Sequence, residues 1–368
     1  MHFLFSVSVA ASANTPEDFL ECLVTQVPDS TSIFYTPNDS LYFTVLNSST
    51  KNRRFSFSAT PKPSAIVTQF HVSHVQATVY YSEKHGVQIR TQSGGHDSED
   101  LSYVSCYNGP SGFALIDLRN LSLVSVDVES KSAWVQAGAT LGEIYYAIGD
   151  KSKSLGFPAG DCHTAGVGGQ IGGGGYSYLT RQYGLAADNI LDAELVDAKG
   201  RILNRKSMGE ILFWAIRGGG PRNMEHEVTE KIVHRWQCRA YKVDEDLTTY
   251  MTFQTFHVRG TFHGDAGRLL ELMQMEFPEL GLQRQECSEM RWEESFLFFN
   301  RFRSKESSDV LLDRKSSSSS LPNKVKSDFV KEPIPDDVFA TMLGRLYEED
   351  VGRAVYLCFP TNSPKRRW

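Results

Sequence analysis

Two side chains and one glycine run in this chain are of types that can do chemistry together. His96 lies near the end of Arg90-Thr91-Gln92-Ser93-Gly94-Gly95-His96-Asp97. Cys162 lies in Gly160-Asp161-Cys162-His163-Thr164, just ahead of Gly166-Val167-Gly168-Gly169-Gln170-Ile171-Gly172-Gly173-Gly174-Gly175, where seven of ten residues are glycine. Glycine has no Cβ and tolerates positive φ, so consecutive N–H groups of such a run can converge on an anion such as pyrophosphate. A dinucleotide is the natural guest. The run is not a Rossmann fingerprint, because no ordinary strand precedes it and no acidic residue follows at the interval a βαβ unit needs; it also lacks the lysine of a P-loop. The two glycines beside His96 open the backbone at a strand end in the same way. Taken singly, each feature also has a plainer reading. A glycine run can be a tight turn without a ligand, a lone histidine is more often a packing or surface residue, and free cysteines are commonly buried and inert.

The elements that must position these groups can be read from periodicity. Ala65-Ile66-Val67-Thr68 has the composition of a strand, and Val72 to His85 that of a helix stopped by Gly86 as a C′ glycine. Val87 to Arg90 is a short buried strand that runs directly into the Ser93-Gly94-Gly95-His96 motif. Three further strands are predicted at Phe113–Leu118, Leu123–Val128 and Ser132–Ala137. Thr140 is placed to cap a helix over Leu141–Asp150, whose Leu141, Ile144, Tyr145 and Ile148 share one face. A Lys199-Gly200 turn between Ala193–Asp197 and Arg201–Leu203 signals a hairpin. The predicted fold class is α+β. Beyond Gly220 the chain carries more charge and a low-complexity stretch, Ser316 to Ser320, read as a loop. A lobe boundary is placed near residue 235.

Composition narrows the function classes. Charged residues at 22% and apolar ones at 40% are ordinary for a globular protein. A net charge of −6 supplies no general attraction to polyanions, so nucleic acid is not expected as a partner. The basic end Pro364-Lys365-Arg366-Arg367-Trp368 is read as a solvated tail. No apolar stretch reaches the roughly 20 residues that span a bilayer, so no membrane is expected either. The six cysteines include no CxxC pair, which argues against a zinc or iron–sulfur centre, and no metal is expected. Met1 to Ala13 combines an apolar run with Ala11-Ser12-Ala13, a pattern suited to signal peptidase, with cleavage expected after Ala13. The sequons at Asn38, Asn47 and Asn120 fit the same secretory route, so a secreted glycoprotein of the extracellular space, cell wall or vacuole is expected.

In combination these motifs resemble the plant berberine-bridge-enzyme-like flavoproteins, whose FAD-binding domain is of the vanillyl-alcohol-oxidase, or PCMH, type. The resemblance runs from about Thr15 to Lys331 and is carried by five ordered stretches: Arg90–Asp97, Val135–Glu143, Cys162–Gly175, Tyr183–Ile190 and Leu212–Gly220. It implies a two-subdomain FAD-binding domain over residues 52–235, after a leader over 1–13 and an N-terminal segment over 14–51. A partial α+β substrate domain over 236–368 would follow. It implies FAD joined twice, through His96 to the 8α-methyl group and through Cys162 to ring carbon 6. The positions it marks around the cofactor are Arg90, Ser93, Gly94, Gly95, Asp97, Thr164, Ala165, Gly166, Gly168, Gly169, Gly172, Gly173, Gly174 and Asn189. Double attachment fixes the ring and raises its oxidising power. The implied activity is that of an oxidase acting on CH–OH or CH–NH groups. It takes hydride from a metabolite, monolignol or carbohydrate alcohol and passes the electrons to dioxygen, giving hydrogen peroxide, with the small Ala165 leaving oxygen a path. A monomer working on a small-molecule substrate is expected.

The chain also departs from the family pattern. No stretch after Ala354 matches the family segment with the tyrosine base, so a shortened or degenerate member, or an incomplete gene model, is expected and no base is assigned. His263 stands where some relatives carry a substrate-pocket histidine, although a packing role is the commoner fate of such a residue. Pro221 to Glu227 replaces a family strand. Cys22 matches a cysteine usually bridged in relatives, but Tyr81 occupies the partner position. Two rival readings follow, a flavin-binding remnant without turnover and a secreted binding protein without flavin.

Overall fold

The protein is described here from a computed structural model, which covers residues 16–26, 34–52, 55, 60–97, 101–105, 112–217, 239, 242–252, 257–300, 302, 307–314, 334–335, 337–338, 341 and 356–358. The expected leader, the 221–227 replacement, the 316–320 loop, the boundary at 235 and the basic end lie outside the described residues.

The first sheet has the order β1-β2-β4-β3, formed by Phe34–Tyr35, Ala65–Thr68, Phe113–Asp117 and Gln88–Gln92, with β2, β4 and β3 parallel and β1 antiparallel at one edge. β2 and β4 are buried along their whole length, as parallel strands covered on both faces must be. Alternation along the strands sorts the coverings. Ala65 and Ala114 face Phe19 and Leu23 of helix α1 (Pro16–Gln26), while Ile66 and Leu115 face Tyr42 and Leu46 of helix α2 (Tyr42–Ser49). Helix α3 (Val72–His85) makes the crossover between β2 and β3 and ends, as expected, on Gly86 at φ 66°. Cys22 carries a free thiol, and Tyr81 packs against the Phe19 and Leu23 cluster.

The strands β5 (Val124–Asp127) and β6 (Ser132–Val135) pair antiparallel and lead to helix α4 (Leu141–Lys151). Thr140 and Glu143 close a reciprocal capping box at its start. The buried face of α4, with Leu141, Ile144, Tyr145 and Ile148, forms a second core with Phe296 of the helix Trp292–Phe299 and Leu311 of the 3₁₀ turn Ser308–Leu312. Chain beyond residue 290 is thus packed onto the element that precedes Cys162. The predicted hairpin is present as β7 (Leu195–Val196) and β8 (Ile202–Leu203). A three-stranded antiparallel sheet is built from Leu247–Thr252, His257–Phe262 and Tyr356–Cys358, with the first of these in the middle.

Candidate functional site

The site is assembled from two loops, one at the end of β3 and one between α4 and the glycine run. β3 hands over to the Gly-Gly-His motif at Gln92, whose Nε2 donates to Ser49 O at 2.9 Å and whose carbonyl accepts from Leu118 N at 2.9 Å. Ser93 Oγ donates to Ala137 O at 2.5 Å. Gly95 adopts φ 69°, a conformation that costs a side-chain-bearing residue strain. The second loop is held by α4. Its first N–H groups, at Leu141 and Gly142, donate to the carbonyls of Ala165 and His163 at 2.9 and 2.8 Å. Tyr145, fully buried, donates its hydroxyl to Gly160 O at 2.6 Å and accepts from Gly160 N at 2.9 Å, which fixes the chain just ahead of Cys162. Burial pushes the Tyr145 hydroxyl pKa far up, so it stays protonated and keeps donating.

The two loops meet backbone to backbone at Gly94 and Gly166. A Cβ on Gly166 would lie 2.1 Å from Gly94 N, and one on Gly94 would lie 2.2 Å from Gly166 N. Through this contact His96, Thr164 and Cys162 come together. Thr164 Oγ1 is 2.7 Å from His96 Nε2 and 3.6 Å from Cys162 Sγ, so one buried hydroxyl touches both candidate attachment points.

Burial raises the pKa of the Cys162 thiol, an effect opposed by the Thr164 hydroxyl and by the N–H groups of Thr164 and Ala165. His96 is held down to about 4, first by desolvation and then by the positive charges of Lys51 and His163. The residue is nevertheless exposed by surface area. A ring recessed among protein atoms but open on one side satisfies both facts, and water at the open side screens the charges around it. Lys51 donates to Arg314 O at 2.8 Å, and burial lowers its pKa. Arg314 grips Glu143 with two nitrogens at 2.8 to 2.9 Å. Lys51 and this clamp were missed in the sequence; a lysine before a basic run carries no local sign of burial.

The other marked residues divide. Arg90 lies on β3, with Nη2 3.4 Å from Ser105 Oγ, and Asp97 accepts from Ser102 N at 2.9 Å. Ala165 is buried in the α4 core cluster. Asn189 donates its amide to the carbonyls of Tyr183 and Leu185, a loop-closing arrangement well served by its own backbone neighbours. His263 follows the strand His257–Phe262, with its N–H on Asp246 O, just ahead of the strand Leu247–Thr252, and a pKa lowered by burial against the pull of Asp246. The glycine run differs from the open anion nest expected. Val167–Gly172 forms a short helix, the N–H groups of Val167 and Gly168 donate to the carbonyls of Ala139 and Ala137, and those of Gln170, Gly173 and Gly174 bond within the run. What remains available is space. A Cβ on Gly169 would meet nothing within 4 Å and one on Gly172 only Ile216 O at 3.9 Å, so packing inside the protein does not require glycine at either place. Exposed backbone at Gly169, in the run that opens at the Gly94–Gly166 contact, fits the close approach of a flat ring and its phosphates.

Such a pair of loops, on a sheet with parallel central strands and beside a glycine run, defines a PCMH-type FAD-binding fold. A family model described as "FAD binding domain" matches residues 63–205, which include His96, Cys162 and the whole run. Berberine bridge enzyme-like 28 of Arabidopsis thaliana is 44% identical over 93% of this chain and 71% of its own length. Its solved structure superposes with a TM-score of 0.80 at 42% identity, covering 92% of this chain and 73% of that one. Cannabidiolic acid synthase-like 2 of Cannabis sativa is 40% identical over 97% of this chain and 74% of its length. The grass pollen allergen Phl p 4, described as having glucose dehydrogenase activity, has a TM-score of 0.80 at 37% identity over 89% of this chain and 71% of its own. The chain belongs to the berberine bridge enzyme-like family of plant FAD-binding oxidoreductases.

The lowered histidines make stability depend on pH. Unfolded His96 and His163 take up a proton near 6.5, whereas the folded groups resist it, His96 down to about 4. In that window the unfolded chain binds more protons, so stability is full above pH 6.5 and falls as pH drops towards 4. The urea midpoint should therefore decline on acidification from pH 7 to 5 in flavin-free protein, and less steeply in His163→Gln. An unchanged slope in that variant would remove His163 from the account.

Proposed function

We propose that the chain is an FAD-linked oxidase in which His96 and Cys162 both bond the flavin, at the 8α-methyl group and at ring carbon 6. The observation that carries this reading is the shared hydroxyl of Thr164, which holds an imidazole nitrogen and a sulfur from distant parts of the chain at one place. Bound there, FAD supplies the acceptor for a hydride from an alcohol-type carbon and passes the electrons to dioxygen, giving hydrogen peroxide. The protein's own part is to fix the ring. Gly94 and Gly166 set the distance between the two attachment loops, Tyr145 and α4 hold the cysteine loop, and the bare face of Gly169 and Gly172 receives the dinucleotide. Ala165, small and buried, supports dioxygen as the acceptor. Wild-type Phl p 4 is described as a glucose dehydrogenase and a variant with isoleucine exchanged for valine as a glucose oxidase. The substrate class is a small metabolite, monolignol or carbohydrate alcohol, and the protein works as an exported monomer. Export is supported by the Met1 to Ala13 run and by the exposed sequon residues Asn38 and Asn47.

The test is the intact mass and visible spectrum of the secreted protein after acid precipitation. Yellow colour and an FAD-sized mass increment should stay with the wild-type chain, and His96→Ala and Cys162→Ala should each show at most one link. A chain that releases all its colour into the acid supernatant would refute the double attachment. Anaerobic bleaching by an alcohol then separates an oxidase from a protein that only stores flavin.

A further inference from the structure

We propose that Thr164 is a positioning residue that arms both attachment points, relaying the proton of half-buried Cys162 out through exposed His96. This rests on the reading of His96 and Cys162 as the places where flavin is bonded. A hydroxyl has one proton to give and two lone pairs. Thr164 is 1% exposed, so water does not compete for them, and its two polar neighbours are His96 Nε2 at 2.7 Å and Cys162 Sγ at 3.6 Å.

Two directions of hydrogen bonding are available along this chain of three groups. In the first, the thiol donates to Thr164 Oγ1, the hydroxyl donates to His96 Nε2, and the neutral imidazole keeps its proton on Nδ1. Both nucleophiles are then blocked, because sulfur is protonated and Nδ1 has no lone pair to offer. In the second, Nε2–H donates to Oγ1, the hydroxyl donates to sulfur, Cys162 is a thiolate, and Nδ1 is free. The two states differ by one proton. It leaves Nδ1 for solvent, while the hydroxyl proton moves to Nε2 and the thiol proton moves to Oγ1. His96 is exposed and can release it, whereas Cys162 is half-buried and has the Thr164 hydroxyl between its sulfur and that exit. The N–H groups of Thr164 and Ala165 favour the thiolate once it forms, and the depressed basicity of His96 keeps the ring from trapping an extra proton. The thiolate is the reactive form of cysteine, so the relay decides when Cys162 can act.

Bond formation then balances as follows. Sulfur bonds flavin carbon 6, and Nδ1 bonds the 8α carbon. Each bond releases one carbon-bound hydrogen as a proton and leaves an electron pair on the flavin, which dioxygen removes as hydrogen peroxide. Because one hydroxyl serves both groups, the two linkages are coupled.

The experiment incubates folded wild type, Thr164→Val and Thr164→Ser with FAD in air between pH 7 and 10 and counts unlinked, singly and doubly linked chains by intact mass and peptide mapping. Thr164→Ser should follow the wild type. Thr164→Val should lose about tenfold in the extent of Cys162 linkage at pH 7 and recover it towards pH 10, where hydroxide makes the thiolate without a relay. A merely structural role for Thr164 would give a loss that pH does not restore. Wild-type linkage by Thr164→Val at pH 7 overturns the proposal while leaving double attachment intact. A wild type with no linkage at any pH removes the underlying reading and the proposal with it. Should Thr164→Val fail to fold, His96→Ala serves instead. It lacks the proton exit, so its Cys162 linkage should need a pH higher by about one unit, and an unshifted profile overturns the relay.

Discussion

Gly166→Ala is expected to cost about 3 kcal/mol or more and to lower the unfolding temperature by roughly 10 °C, because the added methyl has no room and nothing flexible to displace. Its Cβ would stand 2.1 Å from Gly94 N and 2.1 Å from Ser93 Oγ. The first of these is backbone, and the second is a side chain already committed to Ala137 O. The two loops must separate by about an ångström to admit it, which is an overpacking cost paid by main chain rather than by rotamers. The same separation pulls His96 away from Thr164, so doubly linked flavin should fall about tenfold on the proposed reading, a hydrogen bond of this kind being worth roughly a kcal/mol or more. Gly169→Ala is the matched control. It meets nothing within 4 Å, so its melting temperature should equal or exceed the wild type's, since alanine is the better helix former by up to about 1 kcal/mol. Yet on the proposed reading its methyl meets the dinucleotide, and flavin loading should suffer. Calorimetry together with acid-stable absorbance reads both variants. Equal stability of Gly166→Ala and Gly169→Ala would mean that the loop contact is not what fixes the site.

Much of the scaffold around this contact was legible because its causes are local. Gly86 ends α3 through its own backbone freedom, and Thr140 with Glu143 starts α4 through a three-residue box. The alternation of β2 between the α1 and α2 faces follows from two-residue periodicity. The glycine run shows where local reading stops. Seven glycines predict an open nest, but Val167 and Ala139 are both buried and the run's first N–H groups pair with the carbonyls of Ala139 and Ala137. A segment far back in the chain thereby winds the run into a helix. The composition carries no trace of that partner.

The site divides along the same line. His96 and Cys162 could be named because their motifs match a family. Thr164 was marked with them only by its place in that match, and its bridging geometry exists only when the end of β3 meets the cysteine loop. Lys51 and the Arg314–Glu143 clamp had no sign in sequence, since each joins segments brought together by the fold. His263 had a motif-level reason and is found beside Asp246, just past the end of the strand His257–Phe262. The resemblance to a family thus named the candidate groups, and tertiary contact alone supplies what orients them.

Asp117→Ala is expected to be nearly as damaging as the glycine change, at about 3 kcal/mol, because it breaks a buried charged cluster from its centre. The Asp117 carboxylate is 1% exposed at the end of β4 and opposite Gln92 in the register with β3. It accepts from Ser49 Oγ at 2.8 Å and from the N–H and Nε of Arg119 at 3.0 and 2.9 Å. Arg119 also reaches Ser48 Oγ at 2.6 Å, tying α2 to the sheet. Removing the carboxylate takes the charged acceptor from the guanidinium, which keeps only the Ser48 and Ser49 hydroxyls, and leaves the Ser49 hydroxyl only Val45 O, so the loss exceeds what the pair contributed in place. Because Arg119 is partly exposed, water recovers some of that loss, which sets the figure at the lower end of the range for a broken buried pair. Asp117→Asn separates shape from charge. It can still accept from Arg119 N and should lose about half as much, since hydrogen bonds to charged groups are worth roughly twice neutral ones. The functional consequence follows from position. Ser49 O receives Gln92 Nε2, and Gln92 precedes the Ser93-Gly94-Gly95-His96 turn, so slack in this cluster passes directly to His96. On the proposed double attachment, linkage through His96 should therefore decline in Asp117→Ala more than linkage through Cys162, whose loop is held independently by Tyr145 and α4. Peptide mapping of the two flavin peptides gives that ratio. An equal decline of both would show that Asp117 supports the domain as a whole and has no particular hold on the histidine loop.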